Sequence, residues 1–194
     1  MGPRPDALSS ALEPLRISGS VVLHHSYAAP WAVDVPAADA LVGLAGGERD
    51  ARVVPFHLVE RGGVVLETRS RRLHLGPGEL VACFGGHAHR LGQGDRPRPM
   101  SLVDVLAGAA RPADGDDTRL LCGVFVLRDT ALHPLLAALP ELLAATTTDD
   151  ELERVARTLQ RELRTGGNGS AYLVDRALET LCASLVRQHL ARTP

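Results

Sequence analysis

The sequence contains no lysine: all 21 of its Lys+Arg positions are arginine. That excludes a Schiff-base amine and a phosphate-loop lysine, and it follows from a composition biased toward Ala, Arg, Gly and Leu. Cysteine is scarce. Cys83, Cys122 and Cys182 are odd in number, widely spaced and without a CxxC, so a disulfide framework is not expected and a reducing cytoplasm fits. Aromatic residues make up 3%, with a single tryptophan. The opening MGPRPDALSS lacks the apolar core of a signal peptide, and no window approaches the roughly 18 apolar residues of a membrane helix. The chain reads as soluble and cytoplasmic. The net charge of −2 gives no bulk attraction to nucleic acid. No nucleophile elbow, Ser-His-Asp order or glycine-rich phosphate loop is present.

What remains is ordinary globular composition, 45% hydrophobic and 23% charged over 194 residues, enough for one domain with a helical appendage. From Ile17 to about Val126 short apolar runs are split by Gly, Pro or Asp: VVLHH, PWAVDV, VVPFHLVE, GVVLETR, RLHLG, ELVACF, HRLG, SLVDVL and RLLCGVFVL. Turns about every ten residues predict an antiparallel sandwich or barrel. ERGG at 60–63 and GPGE at 76–79 are the strongest turn signals, and Ala37–Arg52 and Gly92–Pro99 read as longer loops. Residues 1–20 read as a flexible arm with one helical turn. After Asp129 the pattern turns helical. Thr130–Leu143 is apolar all round with a break at Pro140. Asp149–Leu163 has an amphipathic stripe, and after GGNG a second helix, capped by Ser170, runs over about 171–191. Two such helices form an antiparallel hairpin whose apolar faces cover the barrel, a partner subunit, or both. The divisions are an arm at 1–20, a β barrel at 21–129 and a helical dimerisation segment at 130–194.

The stretch LHLGPGELVACFGGHAHRL, Leu73–Leu91, reads as strand, turn, strand and a glycine pair feeding His-x-His. On a strand, His87 and His89 share a face and can ligate a metal or line a polar pocket. The stretch resembles the second cupin motif, a glycine, five residues, Pro-x-Gly, two residues and a histidine. Gly78, ELVAC, Gly86 and His89 fall in place, while Phe84 stands for the proline. The first cupin motif, His-x-His then Glu then Gly, is broken. With Gly62 as its glycine, Pro55 takes the glutamate position, His57 lies two residues on, and no His-x-His precedes it. The three-His-plus-Glu metal site of catalytic cupins is therefore incomplete.

The whole chain resembles one cupin subgroup, the N-terminal sensory half of AraC/XylS-type transcription regulators. The matching pieces are LSSALEPLRISGSVV, PWAVDVP, FHLVERGG, LGPGELV, GGHAHRL, TRLLCGVFVL, HPLLAALPELL and the terminal helix pair. The resemblance implies a cupin double-stranded β-helix, a jelly-roll barrel that binds a small-molecule effector. It further implies helices that support a homodimer, and DNA contacted only through a separate helix-turn-helix unit. Nothing resembling that unit stands before the final ARTP, so the sequence reads as a sensor fragment or a stand-alone relative.

The candidate ligand-binding residues are His57, Trp31, His87 and His89. The candidate metal ligands are His87, His89, Cys122 and His57, with zinc ahead of iron, manganese or nickel because imidazole and thiolate form an ordinary zinc set. The bland readings stand beside these. One histidine of the pair faces outward, a lone histidine such as His57 satisfies the core, a buried cysteine such as Cys122 acts as a small hydrophobe, and Trp31 is plain core. His24 and His25 alternate, so at most one points inward. His133 caps a helix, His74 lies on the surface, Glu79 starts a strand, and Arg69, Arg71, Arg72 and Arg90 form a solvated face. The competing function is a metal-dependent cupin enzyme, an oxygenase or isomerase working at His57, His87 and His89.

Overall fold

A computed structural model describes residues 6–44, 51–109, 113–128, 130, 133–147 and 150–192. In chain order the elements are α1 (Ala7–Leu12) with a following 3-10 turn (Glu13–Leu15), β1 (Ser18–Tyr27), β2 (Trp31–Val35), α2 (Ala38–Leu44), β3 (Arg52–Arg61), β4 (Val64–Glu67), β5 (Arg72–Leu75), β6 (Glu79–Ala82), β7 (His89–Gln93), β8 (Pro99–Ser101), α3 (Leu102–Leu106), β9 (Thr118–Leu127), α4 (Pro134–Ala138), β10 (Leu143–Thr146), α5 (Asp150–Thr165) and α6 (Ser170–Arg192).

The strands form two five-stranded sheets, ordered β1-β9-β3-β6-β10 and β5-β4-β7-β2-β8. All pairings are antiparallel except β2 with β8. Successive strands change sheet at the two strongest turn signals. ERGG carries the chain from β3 in the first sheet to β4 in the second, and GPGE returns it from β5 to β6. Neither is the turn of a hydrogen-bonded hairpin. Gly62 has φ +75°, and a β-carbon there would collide with the Asp117 carbonyl, so this crossing requires glycine.

Alternation divides the core in two. On β3, Val53, His57 and Val59 face the space between the sheets, while Val54, Phe56 and Leu58 face out. On β9, Leu120, Cys122, Val124 and Val126 face in, while Leu121, Phe125 and Leu127 face out. The outward residues are buried as well, because α5 and α6 lie over them with Leu152, Leu159, Leu178, Leu181 and Leu185. Both faces being covered, β3 and β9 are almost continuously apolar instead of alternating with polar residues.

The N-terminal segment is docked, in contrast to the flexible arm the sequence predicts. Asp6 caps α1 by accepting the Ser9 backbone N–H at 2.9 Å. Leu15 is fully buried, and its carbonyl accepts the Arg128 N–H at 2.8 Å. Residues 1–5 lie outside the described residues. SLVDVL is helix rather than strand after its first residue. Ser101 accepts the Val103 N–H and Asp104 sits in the first turn, cap chemistry that outweighs the β-branched valines. The expected loop at Ala37–Arg52 contains α2. Among the described residues of the apolar run Thr130–Leu143 the helix is the short α4, and β10 follows it, pairing with β6 from Leu143↔Ala82 to Thr146↔Glu79. A strand of the first sheet therefore lies inside the segment that reads as purely helical. Ser170 does not cap α6 with its hydroxyl; it donates to Glu162 Oε2 at 2.8 Å, tying the two long helices together.

Candidate functional site

Between the sheets lies a cavity of about 230 Å³. Val21 and Leu23 of β1, Trp31 and Val33 of β2, Pro55 and His57 of β3, and Leu120, Cys122 and Val124 of β9 line it. Leu41 of α2 and Leu102 and Leu106 of α3 also line it. The lining is overwhelmingly apolar. Trp31 is 2% exposed, its ring tilts against Tyr27 at 5.1 Å, and its indole N–H donates to Thr118 Oγ1 at 3.5 Å. Trp31 thus belongs both to the core and to the cavity wall.

His57 projects inward from the middle of β3, with its Cα opposite Cys122 on one side and Val81 on the other. His89 opens β7 opposite Val35 in the other sheet. Their Nε2 atoms are 2.8 Å apart, and both residues are buried. His89 Nδ1–H donates to the His87 carbonyl at 3.2 Å, which leaves a lone pair on His89 Nε2. His57 must then donate its Nε2–H across the pair, so His57 Nδ1 is a buried nitrogen with no partner. Cys83 lies just past β6, held by its N–H to the Pro55 carbonyl at 2.8 Å, and its Sγ is 3.9 Å from His89 Nε2. Burial, reinforced by the neighbouring His89, pushes His57 well below the ordinary imidazole value. Burial lowers His89 too, against a smaller upward pull from the His87 carbonyl. Burial pushes the Cys83 and Cys122 thiols up to about 12. At neutral pH the cluster is therefore uncharged.

Among the described residues His57, Cys83 and His89 are the one group whose donor atoms all lie within 4.8 Å of one another. In a tetrahedral zinc site with ordinary bond lengths, N···N would be about 3.3 Å and S···N about 3.6 Å. The 3.9 Å Cys83–His89 separation lies near the second value, the 2.8 Å His57–His89 separation is a hydrogen-bond distance about 0.5 Å under the first, and the His89 Nδ1–H to a backbone carbonyl is the usual orienting bond of a metal-bound histidine. The donor types suit a divalent metal with three protein donors once the two rings part to admit it.

This set differs from the one the sequence singles out. His87 precedes β7 on a loop, so the strand rule does not apply to it; its side chain is 66% exposed and pairs with Glu141 at 3.5 Å. It contributes a carbonyl, not an imidazole. The enzyme set of His57, His87 and His89 is therefore not assembled. Cys122 lines the cavity but stands outside the donor set. Cys83 takes that place. The signal for it is alternation along ELVAC, where Val81 and Cys83 face in while Leu80, Ala82 and Phe84 face out.

The remaining candidates lie elsewhere. His24 bonds Glu60 at 3.1 Å and His25 bonds Asp114 at 2.7 Å, both away from the cavity. His74 is exposed. His133 occupies the cap position of α4 without a side-chain cap bond. Glu79 accepts the Gly76 N–H at 2.6 Å and fastens the turn. Arg69, Arg71, Arg72 and Arg90 are exposed, with Arg90 forked onto Asp34 at 2.6 and 3.2 Å.

A family model described as cupin matches residues 6–191, the barrel together with the helices. The chain belongs to the cupin family, as its motif order predicts. No curated protein matches it. Solved structures with a similar outline include ToxT from Vibrio cholerae O395, at 6% identity and a TM-score of 0.39, covering 91% of this chain and 55% of that one. The AraC-like transcriptional activator CuxR is similar at 15% identity and a TM-score of 0.40, covering 91% of this chain and 53% of that one. The chain thus spans about half the length of the solved proteins it matches. Among the described residues no helix is long and apolar enough to cross a membrane.

Proposed function

We propose that this chain is the effector-binding part of an AraC-type transcription regulator, acting in the cytoplasm as a binding module and not as an enzyme. The observation that carries the reading is the apolar cavity between the sheets. Proteins bind small molecules in concave, mainly apolar sites with few polar groups, and this one offers an indole, an imidazole and a thiol amid aliphatic walls. A cavity of about 150 Å³ holds benzene, so the effector has on the order of ten non-hydrogen atoms. The reading includes one divalent metal in the barrel, zinc by the softness of the donors. DNA is contacted through a separate unit.

An effector that fits one arrangement of the domain better than another shifts the balance between them. β1, β3 and β9 have the cavity on one face and the long helices on the other, so repacking around an effector reaches α5 and α6 through a single layer of strands. The inner stripes of those helices are committed to their own barrel. A homodimer through the helices would use their outward residues, of which Tyr172, Leu173 and Leu190 are apolar and exposed.

Trp31 is the sole tryptophan and lies in the cavity wall, so its fluorescence reports directly on occupancy. Titrating the metal-free protein with small apolar compounds should give a saturable change in emission and a rise in melting temperature. Val124→Phe, which fills the cavity, should abolish both. A panel of aromatics and short aliphatics that never moves the emission would overturn the reading.

A further inference from the structure

The helix α5 sorts its charges by face. Arg154, Arg157, Arg161 and Arg164 recur at helical spacing, which puts all four within about a quarter of the circumference and spreads them along about 15 Å. All four are exposed. Leu152, Ala156 and Leu159 occupy the opposite face, buried in the core outside the first sheet. The stripe starts one turn after Asp150, which opens the helix. The glutamates are engaged elsewhere. Glu162 has its side chain 11% exposed, accepts from Ser170 and pairs with Arg161. Glu151 accepts from Ser184 at 2.6 Å and pairs with Arg187 of α6. Glu153 pairs with Arg157. Among the described residues Arg154 and Arg164 have no ion pair. No large apolar side chain of α5 is exposed; the exposed ones lie on α3 and α6.

That composition selects the partner. The centre of a protein–protein interface is poor in charge and rich in aromatic and apolar side chains, which this face lacks. Interfaces with DNA are polar, wet and positively charged, and the arginine fork matches paired phosphate oxygens. The chain's net charge of −2 does not oppose this, because salt confines the contact to charges within about 10 Å. We propose that the arginine face of α5 docks on the phosphate backbone of duplex DNA without reading its sequence, beside the separate DNA-binding unit. The regulator reading explains why so few contacts suffice. A tethered unit already on the DNA holds α5 at high effective concentration, so a weak contact becomes an intramolecular one.

The tether rests on the regulator reading, but the contact belongs to this chain and is measured on it alone. The probe is a fluorescently labelled duplex of about 20 base pairs and arbitrary sequence, followed by anisotropy from about 20 to about 200 mM salt. Binding should be saturable at low salt and indifferent to sequence. Four phosphate contacts predict a slope of log affinity against log salt of about −3 to −4. Arg154→Gln with Arg164→Gln should weaken binding at least ten-fold at low salt and reduce the slope by about two. The melting temperature should not move, since both side chains are exposed. Arg69→Gln with Arg71→Gln makes the same change in net charge at the exposed turn between β4 and β5, in the second sheet; it should leave affinity and slope unchanged. No binding at the lowest salt, or an equal loss in both double variants, would overturn the proposal. Poly-glutamate that competes better than unlabelled duplex at equal charge would also overturn it, by assigning the stripe to an acidic protein. None of these outcomes bears on the cavity, which the Trp31 titration tests separately.

Discussion

His57 and His89, carried by opposite sheets, meet Nε2 to Nε2 at 2.8 Å in the buried interior. The backbone fixes which of them donates, because the His87 carbonyl holds the His89 proton on Nδ1. The two Nε2 atoms satisfy each other in the metal-free protein. Removing one partner strands the other's buried nitrogen, whereas replacing both with apolar groups strands neither. In chelator, His57→Leu alone should cost about 1–3 kcal/mol in urea unfolding, and adding His89→Leu should recover part of that loss. Strict additivity of the two substitutions would refute the pairing.

Much of the barrel was legible because turn residues and strand periodicity are local. The inward set Leu120, Cys122, Val124 and Val126 follows from alternation alone, as does His57 opposite Phe56 and Leu58. What was not legible depends on contacts between distant segments. The pairing of β10 with β6 is fixed by the edge of the first sheet, not by the composition of LAAT. His87 failed as a strand residue because β7 begins only at His89, a boundary of two residues that decides whether an imidazole points in or out. Cys83 carries no motif, and its nearness to His89 exists only once β6 and β7 sit in facing sheets.

Gly123, in the LCG piece, leaves room for a ring. Phe56 and Phe125 stack outside the first sheet with centroids 4.4 Å apart and planes 16° apart. A β-carbon on Gly123 would lie 2.6 Å from Phe56 Cε1 and 2.4 Å from the Ser20 carbonyl oxygen. Strand backbone and a stacked ring cannot both yield. Gly123→Ala should destabilise by roughly 1–3 kcal/mol as an overpacked core substitution, read as a lower urea midpoint with an unchanged slope. A neutral effect would show that the stack is free to move.

The long helices complete the barrel's outer core. Leu181 and Leu178 are fully buried in the same cluster as Phe56, Leu121 and Phe125. Leu181→Ala should cost about 2–5 kcal/mol and lower the melting of the whole domain in one transition. A chain truncated after Thr147 exposes that apolar sheet face and should aggregate or bind a hydrophobic dye strongly. Retention of a soluble, cooperatively melting barrel after truncation would make the helices a separate unit.

Glu60 makes the domain acid-sensitive at one end of β3, the central strand of the first sheet. Its carboxylate accepts from His24 Nε2 at 3.1 Å on both oxygens and forms an ion pair with the Arg119 guanidinium, whose Nε is 2.7 Å away. Burial pushes the carboxyl up, and His24 and Arg119 together more than offset that, holding it below the usual carboxylate value. A group whose folded value is depressed contributes stability above its unfolded value and loses it as pH falls through the folded one. Glu60→Gln should therefore destabilise at pH 7, on the order of 1 kcal/mol for charge-assisted bonds at a half-buried site. The gap to wild type should begin to close near the ordinary carboxylate value and vanish below the depressed one. Paired urea titrations of the two proteins across that range check the sign. A gap that widens on acidification would mean that Glu60 is protonated more readily in the folded state than in the unfolded chain.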